Sequence, residues 1–265
     1  MDFQKITEEV CKVAHEAGTY LKSEQEKLHE EQVVQKHNHD YVSYVDQSSE
    51  RLVVSRLKAI LPDSGFLTEE GTAVHEDEPY WWVIDPLDGT TNYIHGYHNY
   101  AVSIALRNEH EILSGVVYDV CLDECFYAWK GGGSWLNGKR LHVNSDHGIS
   151  QALIGIELPY YANDYRSTGL HLINHFYGLC GGIRMNGSAA LAICDVASGR
   201  YDGWLERGIG QWDHAAASLV LIEAGGTITR FDGSTDYINH GDIIASNGTI
   251  HQELVDAVKE VKREA

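Results

Sequence analysis

Apolar side chains at Phe3, Ile6, Val10, Val13, Ala14, Ala17 and Leu21 recur in steps of three and four, which lays one stripe along a helix over residues 3–22. The charged stretch 23–32 reads as its solvated end. Strand-like pieces follow around Val33–Val34 and Tyr41–Val45. Ser48, Ser49 and Glu50 then open a second helix with an apolar face of Val53, Val54, Leu57, Ile60 and Leu61, stopped by Pro62. Trp81–Ile84 reads as a buried strand that Pro86 and Gly89 break.

Between residues 101 and 143 the pattern predicts strands and turns: AVSIAL, ILSGVVYDV and ECFYAW are β-rich runs, and Gly131–Gly133 and Asn137-Gly138 are turn signals. Beyond residue 145 the pattern alternates. QALIGIEL resembles a buried strand, helical segments are expected over 188–197, 215–224 and 252–261, and IIASN forms a strand before the last of them. A strand-rich first part with two early helices and an alternating second part predicts an α/β (α+β) protein of stacked layers, divided into residues 1–145 and 146–265.

Of the 265 residues, 43% are hydrophobic and 22% charged, the balance of a globular chain, so disorder and collagen-like repeats are excluded. Folding at this length removes roughly 70–75% of the unfolded surface from water. A metal here therefore serves chemistry rather than folding. Lys plus Arg is 20 and Asp plus Glu is 39, a net charge of 20 − 39 = −19, which makes nucleic acid and anionic membrane poor partners. No run of about 18 apolar residues spans a membrane. The start of the chain lacks a basic region followed by an apolar run, so a signal peptide is not expected. The five scattered cysteines suit a reducing, cytoplasmic location and complete no zinc site.

Three acidic motifs carry the candidate chemistry. Asp85 ends a strand and Asp88 enters the turn before Gly89 and Thr90, so both carboxylates can face the crevice where open α/β sheets bind ligands. An Asx turn would use Asp88 equally well. Glu69 and Glu70 follow the apolar pair Phe66-Leu67 at a second strand end, although a solvated loop fits them too. Asp213 lies before the apolar helix AAASLVLIEAGG, either as its cap or aimed inward. Together Glu69, Asp85, Asp88 and Asp213 form a hard, oxygen-only set that selects Mg²⁺ or Mn²⁺ over zinc. Paired ions about 3.5–4 Å apart would serve phosphoryl transfer.

The order Glu-Glu, Asp-Pro-Leu-Asp-Gly-Thr-Thr-Asn (Asp85–Asn92), Trp-Asp-His-Ala-Ala (Trp212–Ala216) resembles the signatures of the inositol monophosphatase family, Mg²⁺-dependent and lithium-sensitive phosphatases. The resemblance runs from the first helix to the last. It implies a five-layered αβαβα sandwich, an N-terminal half with an antiparallel sheet, a homodimer, and hydrolysis of a small phosphomonoester, with inositol monophosphate leading. NADP(H) and other sugar or nucleotide phosphates are the alternatives, and a non-catalytic metal-binding regulatory protein is a remote one. It further implies that Glu69, Asp85 and the Leu87 carbonyl hold one metal, and that Asp85, Asp88 and Asp213 hold a second, with two or three Mg²⁺ ions in all. Thr90 and Asp46 would orient the attacking water, with Glu69 beside them. The amides of Gly89 and Thr90, the segment Gly187-Ser188-Ala189, Glu206, Asp88 and Asp213 would contact substrate.

Lys36 and Asp40 match a further family stretch, but His37-Asn38-His39 between them departs from its usual turn. Arg184 would pair with a phosphate or with Asp195. His37, His39, His95 and His98 are expected to serve surface or packing. Gly133–Arg140 nearly spells a phosphate-binding loop, but Arg140 stands where a magnesium-binding hydroxyl is needed, so a hairpin is expected.

Overall fold

The computed structural model describes residues 1–27, 33–37, 40–158 and 162–264. Helices α1 (Phe3–Gln25) and α2 (Tyr44–Ile60) form the first layer. Their apolar stripes, including Val10, Ala14, Leu21, Val53 and Leu57, bury against a seven-stranded sheet in the order β3-β4-β5-β6-β7-β8-β9. These strands are β3 (Gly65–Thr68), β4 (Trp81–Asp88), β5 (Ala101–Arg107), β6 (Ile112–Asp119), β7 (Glu124–Trp129), β8 (Gly133–Leu136) and β9 (Lys139–Arg140). A short hairpin, β1 (Val33–His37) with β2 (Asp40–Ser43), lies between the two helices in sequence.

The middle layer is α5 (Ala189–Ala197) and α6 (Gln211–Glu223), whose alanine-rich surfaces pack with residues of both sheets in one apolar cluster. A five-stranded sheet follows in the order β11-β10-β12-β14-β13, made of β10 (Leu153–Ile156), β11 (Gly182–Arg184), β12 (Gly203–Glu206), β13 (Thr227–Arg230) and β14 (Ile243–Ser246). Its outer face is covered by α4 (Ala162–Phe176) and α7 (His251–Glu264). The remaining short helix, α3 (Thr90–Ile94), follows β4. Helix, sheet, helix, sheet, helix is the five-layered α/β sandwich that the resemblance implied.

Several expectations need correction. The large sheet is not wholly antiparallel, because β3 and β4 run parallel. The strand at Trp81 does not end before Pro86: β4 continues to Asp88 across an irregularity in which Asp85 pairs with Ser103 and Asp88 with Ala101. Three steps on β4 thus face two on β5, a bulge that absorbs the proline's missing N–H. Helices α2 and α6 begin earlier than the apolar pattern suggests, at Tyr44 and Gln211. Their first turns carry the acidic residues Asp46 and Asp213, which interrupt the apolar periodicity that marks a helix start. Gly133–Arg140 forms the expected hairpin, with Asn137 and Gly138 both at positive φ in a two-residue turn.

Candidate active site

The carboxyl end of β3 and the bulged end of β4 lie side by side. The amide of Glu69 donates to the Ile84 carbonyl at 3.2 Å, which extends the parallel ladder by one residue and sets Glu69 beside Asp85. The amide of Leu87 donates to Asp85 Oδ1 at 2.9 Å, folding the bulge back on that carboxylate. Ser103, opposite Asp85 on β5, donates to the Trp212 carbonyl at 3.1 Å and so ties the first turn of α6 next to β4. That turn brings in Asp213, whose Oδ2 also accepts the Gly210 amide at 2.6 Å. Asp85, Asp88 and Asp213 offer oxygens that all lie within 4.8 Å of one another.

This crowding is electrostatically costly. Burial, reinforced by repulsion from Glu69, Asp88 and Asp213, pushes the Asp85 carboxyl well above the usual carboxylate range. Burial pushes Asp88 up to about 6, against the opposing hydrogen bonds from Ser188 and the start of α5. Neither Asp85 nor Asp88 has an ion pair with a described Lys or Arg. An all-oxygen cluster of crowded carboxylates, two of them buried, fits a hard divalent cation.

Helix α2 buttresses this cluster from behind with three fully buried polar side chains on one face. Asp46 Oδ1 accepts from Thr90 Oγ1 at 3.1 Å, Ser49 Oγ donates to the Pro86 carbonyl at 3.2 Å, and Glu50 accepts the amides of Glu70 and Thr72, both at 2.8 Å. Asp46 lies within the first turn of α2 rather than ahead of it. Glu50 is a residue that sequence reasoning assigned only to helix initiation. Its spacing of four from Asp46 on a helix was the signal that could have found it.

Gly89 (φ 92°) turns the chain from β4 into α3, and a Cβ there would meet the Asn99 carbonyl at 2.9 Å and the Gly187 carbonyl at 3.2 Å. Only glycine permits both the left-handed turn and this close approach of the second half of the chain. From that half, Ser188 caps α5 by accepting the Leu191 amide, and its hydroxyl donates to Asp88 Oδ2, as does the Ala190 amide at 2.9 Å.

A cavity of about 300 Å³ opens over the cluster. Of the residues singled out in the sequence, Glu69, Asp85, Leu87, Asp88, Gly89, Thr90, Gly187, Ala189, Glu206 and Asp213 line it. Asp46 and Ser188 stand behind it, hydrogen-bonded to Thr90 and Asp88. Asn92, the last residue of the signature, lines it too, as does Glu157, at the start of the segment 157–175 in which the sequence reading placed substrate choice without naming a residue. Asn92 Nδ2 spans to the carbonyls of Asn99 and Asn186 at 2.8 Å each, joining the two halves of the chain.

The side chains of Lys36, His37 and Asp40, together with Asn38 and His39, lie outside the described residues. Arg184 pairs with neither a carboxylate nor the cavity: it donates to the Ile183 carbonyl, and Asp195 is engaged by Arg200 instead. His95 and His98 are exposed. Among the described residues no helix is long and apolar enough to cross a membrane.

The sequence matches the model of the inositol monophosphatase family over residues 2–263. The chain belongs to the inositol monophosphatase family. An inositol-1-monophosphatase of Mesorhizobium japonicum is 37% identical over 251 residues, 94% of each chain. A protein named Nus factor SuhB, from Vibrio cholerae, is 34% identical over 250 residues, again 94% of each. Among solved structures, the extragenic suppressor protein suhB from Bartonella henselae superposes with a TM-score of 0.92 at 35% identity, covering 97% of this chain and 99% of that one. The inositol monophosphatase from Anabaena (Nostoc) superposes with a TM-score of 0.86 at 33% identity, covering 98% and 96%. Membership supports a phosphatase, and the family is in general Mg²⁺-dependent.

Proposed function

We propose that this member of the inositol monophosphatase family hydrolyses a small phosphomonoester, with inositol monophosphate as the leading substrate, in the cavity above Asp85. The single observation that carries this reading is the convergence of Asp85, Asp88 and Asp213 within 4.8 Å beneath a cavity that Glu69 and Thr90 also line. Glu69, Asp85 and the Leu87 carbonyl would hold one Mg²⁺, and Asp85, Asp88 and Asp213 a second; a third ion and substitution by Mn²⁺ are part of the same proposal. Bound there, the cations supply Lewis-acid activation of a water and neutralise the phosphate.

The protein's own groups do the rest. The Thr90 hydroxyl lies 3.1 Å from Asp46 and 3.0 Å from the Leu87 carbonyl, and its one proton can serve only one of them. With the Leu87 carbonyl engaged as a ligand, the proton turns to Asp46, and a lone pair on Oγ1 is left to accept from the attacking water. The Gly89 and Thr90 amides receive the phosphate oxygens. Assay of a phosphomonoester panel with and without Mg²⁺, then with added lithium, tests the reading: phosphate release that needs Mg²⁺ and falls with lithium is expected, and equal release without Mg²⁺ ends it. Because relatives carry two names, inositol-1-monophosphatase and Nus factor SuhB, the complete set of water-orienting groups is what favours turnover over a non-catalytic role here. A homodimer and a cytoplasmic location complete the proposal.

Glu50 provides an independent check of the metal assignment. Glutamine in its place keeps one acceptor but sets an NH₂ against the second backbone amide, loosening the turn that follows Glu69. Partners that orient metal ligands are worth roughly 10–100-fold in metal affinity. Glu50→Gln is therefore expected to weaken Mg²⁺ binding about tenfold in calorimetry while Asp85, Asp88 and Asp213 remain in place. An unchanged affinity would show that Glu69 needs no such support.

A further inference from the structure

Two carboxylates in the cavity are not needed for the proposed chemistry at phosphorus. They stand at the carboxyl ends of neighbouring parallel strands, the position where α/β sheets read their ligands. Ile156 of β10 pairs with Leu205 of β12, and the Glu157 amide donates to the Leu205 carbonyl at 3.1 Å, so Glu157 and Glu206 leave their strands side by side. Both line the cavity. Glu157 Oε1 accepts the amides of Asn186 at 2.6 Å and Gly187 at 3.2 Å. No described residue donates to its Oε2, or to either oxygen of Glu206. Nor are these oxygens among the sealed, partnerless polar atoms of the interior, so they remain open to the cavity. The adjacent Arg207 guanidinium is drawn the other way, pairing with Asp242 at 3.1 Å and donating to Thr168.

The two oxygens of Glu157 thus divide their work. Oε1 fixes the loop whose carbonyls Asn92 and Asn99 hold from the other half of the chain, and which leads to Ser188 on Asp88. Oε2 is left as a bare acceptor beside a second bare carboxylate. Metal ions below would offset the charge of the aspartate cluster, whereas this wall has no cation of its own and is rich in oxygen acceptors.

We propose that Glu157 selects the alcohol of the ester: its open oxygen, with the Glu206 carboxylate beside it, accepts hydrogen bonds from a polyhydroxylated, uncharged alcohol and repels one that carries a second phosphate. This rests on the proposed function, since it takes the phosphoryl group to lie over the aspartate cluster. Burial raises the Glu157 carboxyl, with its two amide donors opposing, and pushes Glu206, which has no such donors, well above the usual carboxylate range, so Glu157 is the member of the pair better placed to carry the charge.

Glu157→Gln separates the two oxygens, because the amide oxygen can keep both backbone hydrogen bonds while the open acceptor becomes a donor and the charge is lost. Wild type and E157Q are compared on inositol 1-phosphate and fructose 1,6-bisphosphate with Mg²⁺, by kcat/KM and by calorimetric binding to the magnesium-loaded protein. Wild type is expected to prefer the monophosphate. In E157Q that preference falls by roughly tenfold, mostly through KM, as befits one hydrogen bond to a charged group. Glu157→Asp, which keeps the charge, retains discrimination against the bisphosphate. A preference unchanged in E157Q, or equally lost in E157D, overturns the proposal. A chain that binds the two esters with the expected selectivity but hydrolyses neither would overturn the proposed function and leave this inference standing, and one that binds both equally would overturn the inference alone.

Discussion

Replacing Asp85 with asparagine is expected to abolish magnesium-dependent hydrolysis and, at the same time, to raise the melting temperature of the metal-free protein. Asp85 is 1% exposed and is repelled by Glu69, Asp88 and Asp213. Asparagine keeps an oxygen for the Leu87 amide and removes the charge. A gain of about 2 kcal/mol, or roughly 4–8 °C for a chain of this size, is expected in EDTA. Under the proposed function this carboxylate would hold a catalytic cation worth several kcal/mol in the transition state, and each 1.4 kcal/mol is a factor of ten, so turnover is expected to fall by at least ~10³-fold. Calorimetric melting in EDTA, paired with a phosphate-release assay, checks both halves. A D85N protein no more stable than wild type would mean that the cluster is not electrostatically strained.

The same crowding sets a pH dependence. Burial pushes the Asp88 carboxyl up to about 6, above the 3.8 of a free aspartate. The folded state therefore binds this proton more tightly than the unfolded chain does. Its contribution to stability is fully present below the unfolded value and is lost as pH rises through about 6. Under the proposed metal assignment, Mg²⁺ would have to displace protons from these oxygens to bind. The stabilisation conferred by Mg²⁺ should accordingly be large at pH 8 and small at pH 5, read as the difference in melting temperature with and without EDTA at each pH.

How legible the molecule was in its sequence depended on whether a residue's local neighbours announced its role. Glu69 and Asp85 could be placed because each ends an apolar run, and a strand that stops in a carboxylate is a local signal. Glu157 and Glu206 carry that same signal, in LIGIE and GWLE, yet without a motif around it Glu157 was not named singly, only the segment 157–175 that it opens. The starts of α2 and α6 were misplaced because their first turns spend inward positions on Asp46 and Asp213, and the second turn of α2 spends another on Glu50, where hydrophobic periodicity expects apolar groups. Pro86 was taken to end its strand, since nothing in the sequence announces that a bulge will absorb it. Ser103 is the clearest case of what is hidden: its tie from the partner of Asp85 to Trp212 exists only through pairing between strands and packing between layers, and no local pattern encodes it.

Thr90→Ala should separate turnover from metal binding. The Thr90 side chain is held between Asp46, buried in α2, and the Leu87 carbonyl in the bulge of β4, so its hydroxyl is oriented from both sides before any substrate arrives. Positioned proton acceptors of this kind contribute typically ~10²–10⁴-fold, and removal of the hydroxyl is expected to lower kcat within that range. Asp85, Asp88 and Asp213 are untouched by the change, so Mg²⁺ affinity should stay within about threefold of wild type, a difference of well under 1 kcal/mol. Serine in place of threonine keeps the oxygen and should restore most of the rate. Asp46→Asn leaves the hydroxyl but takes away the charged acceptor of its proton, and its loss should resemble that of Thr90→Ala rather than add to it, because the two groups act as one unit. If T90A lost Mg²⁺ affinity in parallel with kcat, the hydroxyl would be supporting the Leu87 carbonyl as a ligand rather than orienting water. If the D46N and T90A losses multiplied in the double variant, the relay between them would have to be given up.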